Sequence, residues 1–231
     1  MTAEFVKVLE NTQRNVNIAL INLSALVADK LDIDVQEALK AAATKWNFIN
    51  FKPGCGVGGE CIDDSAKMLT EAMEDLDICP SLVKESSRIN AIMPVFTVSK
   101  AKEACEKMNL LLEDVHVGVL GLAYKGNSSD IRNSPSLKVI RNLQEVGFKH
   151  IVAYDSLVSQ EIQFSIKRAN TLEEALTGRD LVIIATDHPE FKNVDGSLLD
   201  KCSLKAIVDG RNCLEKELVE SKGIVYYGIG R

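Results

Sequence analysis

The chain has 231 residues, 46% of them hydrophobic and 26% charged, an ordinary globular composition with room for two modest domains. Its formal net charge of −6 speaks against broad nucleic-acid binding, which relies on a basic face to displace phosphate counterions. No apolar run reaches the roughly 18 residues of a membrane span, and the amino terminus carries no basic-then-apolar leader pattern, so no membrane association is expected and the expected compartment is the cytoplasm.

Residues 3–31 lack glycine and proline and carry apolar residues at helical spacing, nearly all round from 16 to 27, which predicts a long, deeply packed helix. Asp34 is placed to cap a second helix over 35–46, because its side chain can accept an orphan amide of the first turn. A loop over 47–60 follows. Asp63, Asp64 and Ser65 are typical first-turn residues of a helix continuing over 66–76, which puts Cys61 at or beside a helix N-terminus. Pro80 and Ser81 open a further helix over 82–108, with Pro94 as an expected kink. After Leu110 the pattern changes to short apolar runs at 116–120, 151–154, 181–185 and 206–208, several of them separated by helical segments. That alternation predicts β-α-β units and a parallel sheet covered on both faces. The expected fold class is α/β, with an all-helical domain over 1–110 and an α/β domain over 111–231.

Six cysteines stand at scattered spacings with no C-x-x-C pair, and the three histidines are far apart in sequence, so no metal site is expected. Most of these thiols should be small buried hydrophobes. Cys61 has a different context. It closes the run Pro53-Gly54-Cys55-Gly56-Val57-Gly58-Gly59-Glu60-Cys61, in which Gly54, Gly56, Gly58 and Gly59 let backbone amides approach a ligand closely. Such a loop suits an oxygen-rich ligand, although a sharp structural turn would explain it about as well. A helix N-terminus favours thiolate, while Glu60, Asp63 and Asp64 oppose it with comparable strength, so a nearby cation would decide the matter. Lys7 is a candidate. Lys7 and Asn11 stand four residues apart on one helical face, and both can donate to a developing oxyanion, or simply form the helix's solvated side.

Four motifs occur in register: Ala3-Glu4-x-x-Lys7-x-x-x-Asn11-Thr12; the glycine run ending at Cys61; Gly121-Leu122-Ala123-Tyr124-Lys125 leading to Asp130-Ile131-Arg132-x-Ser134-Pro135; and Asp209-Gly210-Arg211-Asn212. In order and separation they resemble the UDP-glucose/GDP-mannose dehydrogenase family, leaning toward members that oxidise UDP-N-acetylhexosamines, over nearly the whole chain. The resemblance implies a four-electron oxidation of a UDP-sugar C6 alcohol to a carboxylate with two molecules of NAD, through a thiohemiacetal and a thioester on Cys61. It further implies that Lys7 and Asn11 stabilise the negative oxygen and position water, that the glycine loop, Lys125 and Arg211 contact substrate, and that Arg132 reaches the NAD. A homodimer through the central helices and a second, Rossmann-like domain holding the UDP-sugar are also implied.

Departures from the family pattern accompany the match. The family opens with an NAD-binding domain carrying a G-x-G-x-x-G fingerprint, which this sequence lacks, and Gly118-x-x-Gly121 has the wrong spacing. NAD is therefore expected mainly on a domain or subunit absent from this chain, and the chain alone is expected to be inactive. Ser65 stands where the family has an aspartate four residues after its cysteine, with Asp64 one residue earlier, a rotation of roughly 100° on a helix. Glu60 replaces a frequent histidine and Cys55 a frequent proline. The rival expectation is a non-catalytic UDP-sugar-binding or dimerisation module.

Overall fold

The computed structural model describes residues 1–231. Helix α1 (Thr2–Lys30) runs unbroken, as a stretch without glycine or proline should. Asp34 caps α2 (Val35–Ala42) by accepting from the amides of Gln36 and Glu37. This helix stops short of the expected residue 46, and Trp46 points into solvent with nothing to bury against. Helix α3 (Cys61–Asp75) begins at Cys61 itself, and α4 (Ser81–Lys107) carries Pro94 inside it.

A short 3-10 turn, Leu112–Asp114, leads into the sheet. Its strands are β1 (His116–Leu120), β2 (His150–Tyr154), β3 (Lys167–Arg168), β4 (Leu181–Ile184), β5 (Ala206–Asp209) and β6 (Val225–Gly228). All pairings are parallel, in the order β3-β2-β1-β4-β5-β6, the doubly wound arrangement with its switch point between β1 and β4. The edge strands β3 and β6 had no clear sequence signal. The first is two residues long, and the second buries only alternate residues.

Helix α5 (Pro135–Glu145), capped by Ser134, covers one sheet face with Val139, Ile140 and Leu143. Val98, Ala101, Ala104 and Cys105 of α4 lie in that same core, so the helical layer and the sheet share it. The other face is covered by α6 (Leu172–Leu176), α7 (Pro189–Lys192), α8 (Gly196–Asp200) and α9 (Lys216–Ser221), through Leu176, Phe191, Leu199 and Val219. No helix is long and apolar enough to cross a membrane.

Candidate active site

Three loops leave the carboxyl ends of β1, β4 and β5, where an open parallel sheet presents its crevice. The 53–59 segment from the helical layer packs onto them. Cys55 is buried and donates its thiol to the Ala185 carbonyl at 3.1 Å. Above it, the Gly54 amide donates at 3.0 Å to Asn22 Oδ1 of α1, so the segment is held from both sides. Gly58 is required by close approach, and Gly54 lets Arg211 lie against the segment. A methyl at Gly54 would stand 2.6 Å from Arg211 Nη1, and one at Gly58 would stand 2.7 Å from both the Asn133 carbonyl and Tyr124 Cβ.

Arg211 ties the loops together. Its Nη2 donates to the Tyr124 carbonyl at 3.2 Å, its Nη1 lies against Gly54, and its Nε is buried without a partner. The turn that presents it is fixed by the buried carboxylate of Asp209, which accepts from the amides of Arg211, Cys213 and Leu214 and from the Tyr226 hydroxyl. Asp187 stands close by, half-buried. Burial would raise its carboxyl, but the Arg211 charge and the Gly126 amide outweigh that and hold it low.

The 121–127 turn that carries Lys125 is held by residues with no motif signal. The amides of Leu122 and Ala123 donate to Asp155 Oδ2 at 2.7 and 3.0 Å, Gly126 donates to Asp187 Oδ1, and Asn127 donates to His188 Nδ1. Because Nδ1 accepts there, His188 Nε2 carries the proton and donates to Asp155 at 3.1 Å. Lys125 itself is exposed, with its ammonium 5.3 Å from the Tyr124 ring centroid. This turn does not fit a dinucleotide pyrophosphate. The amides that would cradle it are consumed internally, and the 53–59 segment fills the crevice at the switch point.

Asp155 gives a pH prediction. Burial alone would raise its carboxyl, yet the bonds from His188, Ala123 and Leu122 hold it at about 2, against an ordinary 3.8. A depressed folded value means stability that is present above the ordinary value and lost as pH falls through about 2, worth about 2 kcal/mol. Urea unfolding of the wild type and Asp155→Asn from pH 7 down to about 2 should show the wild-type advantage shrinking across that window. An advantage that stays constant with pH would contradict the assignment.

Cys61 is exposed at the first position of α3, and Cys79 is the other exposed thiol. One turn on from Cys61, buried Ser65 accepts from Asn11 Nδ2 at 2.9 Å, which brings Asn11 to the Cys61 face of α3. Lys7 is not drawn into the group: it is exposed and its ion pair, at 3.8 Å, is with Glu10. The cation beside the thiol segment is Arg132, whose guanidinium meets Glu60 at 2.7 Å and Asp130 at 2.7 Å. The carboxylate next to Cys61 in sequence is thereby paired. The Gly59 amide donates to the Arg132 carbonyl at 2.9 Å, fixing that geometry. The structure thus gathers Gly54, Gly56, Gly58, Gly59 and Arg211 in one place, with Arg132 at the rim. It adds Asn22, Asp155 and His188 as supports. No cluster of three or more potential metal ligands is present.

Residues 1–92 match the model for the UDP-glucose/GDP-mannose dehydrogenase family, central domain, and residues 118–216 match that for its UDP binding domain. The chain is 40% identical over 232 aligned residues to UDP-N-acetyl-D-mannosamine dehydrogenase of Pyrococcus horikoshii, covering 100% of this chain and 52% of that protein. It is 35% identical over 202 residues to UDP-N-acetyl-D-glucosamine 6-dehydrogenase of Pseudomonas aeruginosa, covering 86% and 47%. The solved NDP-N-acetyl-D-galactosaminuronic acid dehydrogenase of Methanosarcina mazei superposes with a TM-score of 0.92 at 26% identity, covering 100% of this chain and 51% of that one. The chain spans about half the length of the curated relatives it matches.

Proposed function

The chain belongs to the UDP-glucose/GDP-mannose dehydrogenase family, and from that premise we propose that it supplies the nucleophile and the UDP-sugar site for oxidation of a UDP-sugar C6 alcohol to its carboxylate. The observation that carries this reading is the convergence of the glycine segment, the Lys125 turn and the Arg211 turn at the sheet's carboxyl edge. There the unpartnered Arg211 Nε and the exposed Lys125 offer positive charge to a diphosphate. The relatives, named for UDP-N-acetylmannosamine and UDP-N-acetylglucosamine, favour a UDP-N-acetylhexosamine as the sugar.

In this reading the Cys61 sulfur bonds to C6 of the intermediate aldehyde, and the carbonyl oxygen takes up the thiol proton, giving a thiohemiacetal. Loss of the C6 hydrogen as hydride, with the hydroxyl proton released to water, leaves a thioester. Water then adds, the C–S bond breaks and the thiol regains its proton. Asn11 has a second amide proton beyond the one given to Ser65, and we assign it to the oxyanion that forms at C6. Lys7, one turn away on α1, joins it if the side chain swings from Glu10. The two hydrides are accepted by NAD, which we place on a domain other than this α/β unit, with Arg132 facing it. We further propose a homodimer through the helical layer, domain 1–110, with 111–231 as the sugar-nucleotide unit. An exposed apolar stripe on α1, formed by Leu20, Leu23 and Val27 and continued by Leu31 just past its end, supports that interface.

The test is to supply NAD and UDP-N-acetylmannosamine to the chain joined to an NAD-binding domain of the family and count the NADH formed. Two NADH per sugar are expected, and one would mean that oxidation stops at the aldehyde and the thioester route is wrong. The second reading, a non-catalytic UDP-sugar-binding or dimerisation module, is favoured by Ser65 standing where the family carries an aspartate, with its hydroxyl already engaged by Asn11. Saturable UDP-sugar binding by calorimetry with no NADH at all would establish it. A dimer without either would reduce the chain to the dimerisation role.

A further inference from the structure

The amino edge of the sheet holds a cavity of about 360 Å³ that the proposed function leaves unused. It lies one strand length from the carboxyl edge, about 16 Å for a five-residue strand. Its lining includes His116, His150, Lys149, Lys167, Arg179 and Gln144, and no carboxylate. In a chain of formal net charge −6 this is a local reversal of sign.

The sheet builds these walls. His116 and His150 are register partners at the first positions of β1 and β2, and their rings stack 4.7 Å apart at 9°, the spacing of paired strands. The Arg179 stem crosses β1 at Gly118, where a methyl would stand 3.4 Å from its Cγ, and its Nε is buried without a partner. Three carboxylates stand near the cavity, Asp180, Glu113 and Asp114, and the first two are engaged. Asp180 accepts from the His116 amide and pairs with Lys205 at 2.8 Å, while Glu113 takes Lys149 at 2.6 Å. Arg179 and Lys167 have no carboxylate partner, so a planar guanidinium and a point charge line the same space as two imidazoles.

We propose that this cavity is a second anion site, separate from the sugar-nucleotide site, that takes a phosphate group. Arg179 supplies the directional donors, Lys167 the charge, and the stacked histidines a rigid polar wall. The volume admits free phosphate or a small phosphomonoester.

The chain has only three histidines, which makes the test direct. Ring resonances of His116, His150 and His188 are followed by NMR while inorganic phosphate, and separately AMP, is added against chloride at constant ionic strength. Saturable shifts of His116 and His150, with His188 unmoved, are expected. Arg179→Gln and Lys167→Gln, each checked for an unchanged unfolding midpoint, should weaken phosphate roughly tenfold or more. Tighter binding of AMP would identify a phosphomonoester as the ligand, and tighter phosphate the free ion. Shifts that never saturate, or that both variants leave unchanged, overturn the proposal. So does a His188 shift competed by UDP, which would put the phosphate at the carboxyl edge.

Discussion

Cys61→Ala is expected to abolish NADH formation, by roughly a thousandfold or more, while leaving UDP-sugar binding intact. The thiol is exposed and opens a helix of 15 residues, so it sits where first-turn amides have no intrahelical acceptor and favour negative charge. Its competitors can be ranked. Burial pushes the Cys55, Cys105 and Cys213 thiols up, the second of them to about 11, and Cys55 is committed to the Ala185 carbonyl. Cys79 is exposed, and hydrogen bonds from Ser81 lower it, but it lies beyond the far end of α3, a helix about 22 Å long. Cys79→Ala should therefore turn over normally. Turnover that survives in Cys61→Ala would sink the covalent route. The same protein with Cys61 intact should hold acyl-enzyme after a single turnover, visible by intact mass. Ser65 is buried and bonded to Asn11 where a carboxylate would help activate water, so hydrolysis of the thioester is expected to be slow. Normal turnover with no adduct would mean that another group, such as Asp64, serves the water.

Cys61's position was legible because it depends on local chemistry. Four glycines before it and carboxylates after it mark a loop ending at a helix start, and both follow from single-residue preferences. The four apolar runs likewise became β1, β2, β4 and β5, since a strand buried on both faces leaves a continuous apolar record. What holds the site together was not legible. Asp155 and His188 lie 33 residues apart and meet only when β2 and β4 flank β1. Asn22 read as an ordinary polar residue of a long helix, and only the packing of α1 on α4 turns it inward. The same gap explains the charge balance at Cys61. The sequence offered Lys7 as the cation, whereas the fold brings Arg132 to Glu60 from 72 residues away, a pairing set by the β1 loop and not by α1.

Asn22→Ala is expected to destabilise the protein by about 4 kcal/mol and to loosen the glycine segment specifically. Asn22 is fully buried and stands in the middle of a chain of amides. Its Oδ1 accepts from Gly54 N at 3.0 Å, and its Nδ2 donates to Asn90 Oδ1 at 2.9 Å. Asn90 donates onward to Asn15 Oδ1 at 2.7 Å, and Asn15 Nδ2 ends the chain on Ser86 and Ser87. Each group buried without its partner costs about 1–3 kcal/mol, and truncation at Asn22 strands two of them, the Gly54 amide and the Asn90 carbonyl. For a chain of this length the loss corresponds to a fall in Tm of about 8–16 °C. The Gly54 amide should exchange with solvent much faster, beyond the change in sheet amides such as Val119, because only the segment loses its anchor. Arg211 packs on Gly54, so UDP-sugar affinity should fall with it. In Asn22→Ala/Asn90→Ala the losses should be less than additive, since both changes break the same bond. Full additivity, or a Gly54 amide as protected as before, would show that the chain of asparagines does not hold the segment in place.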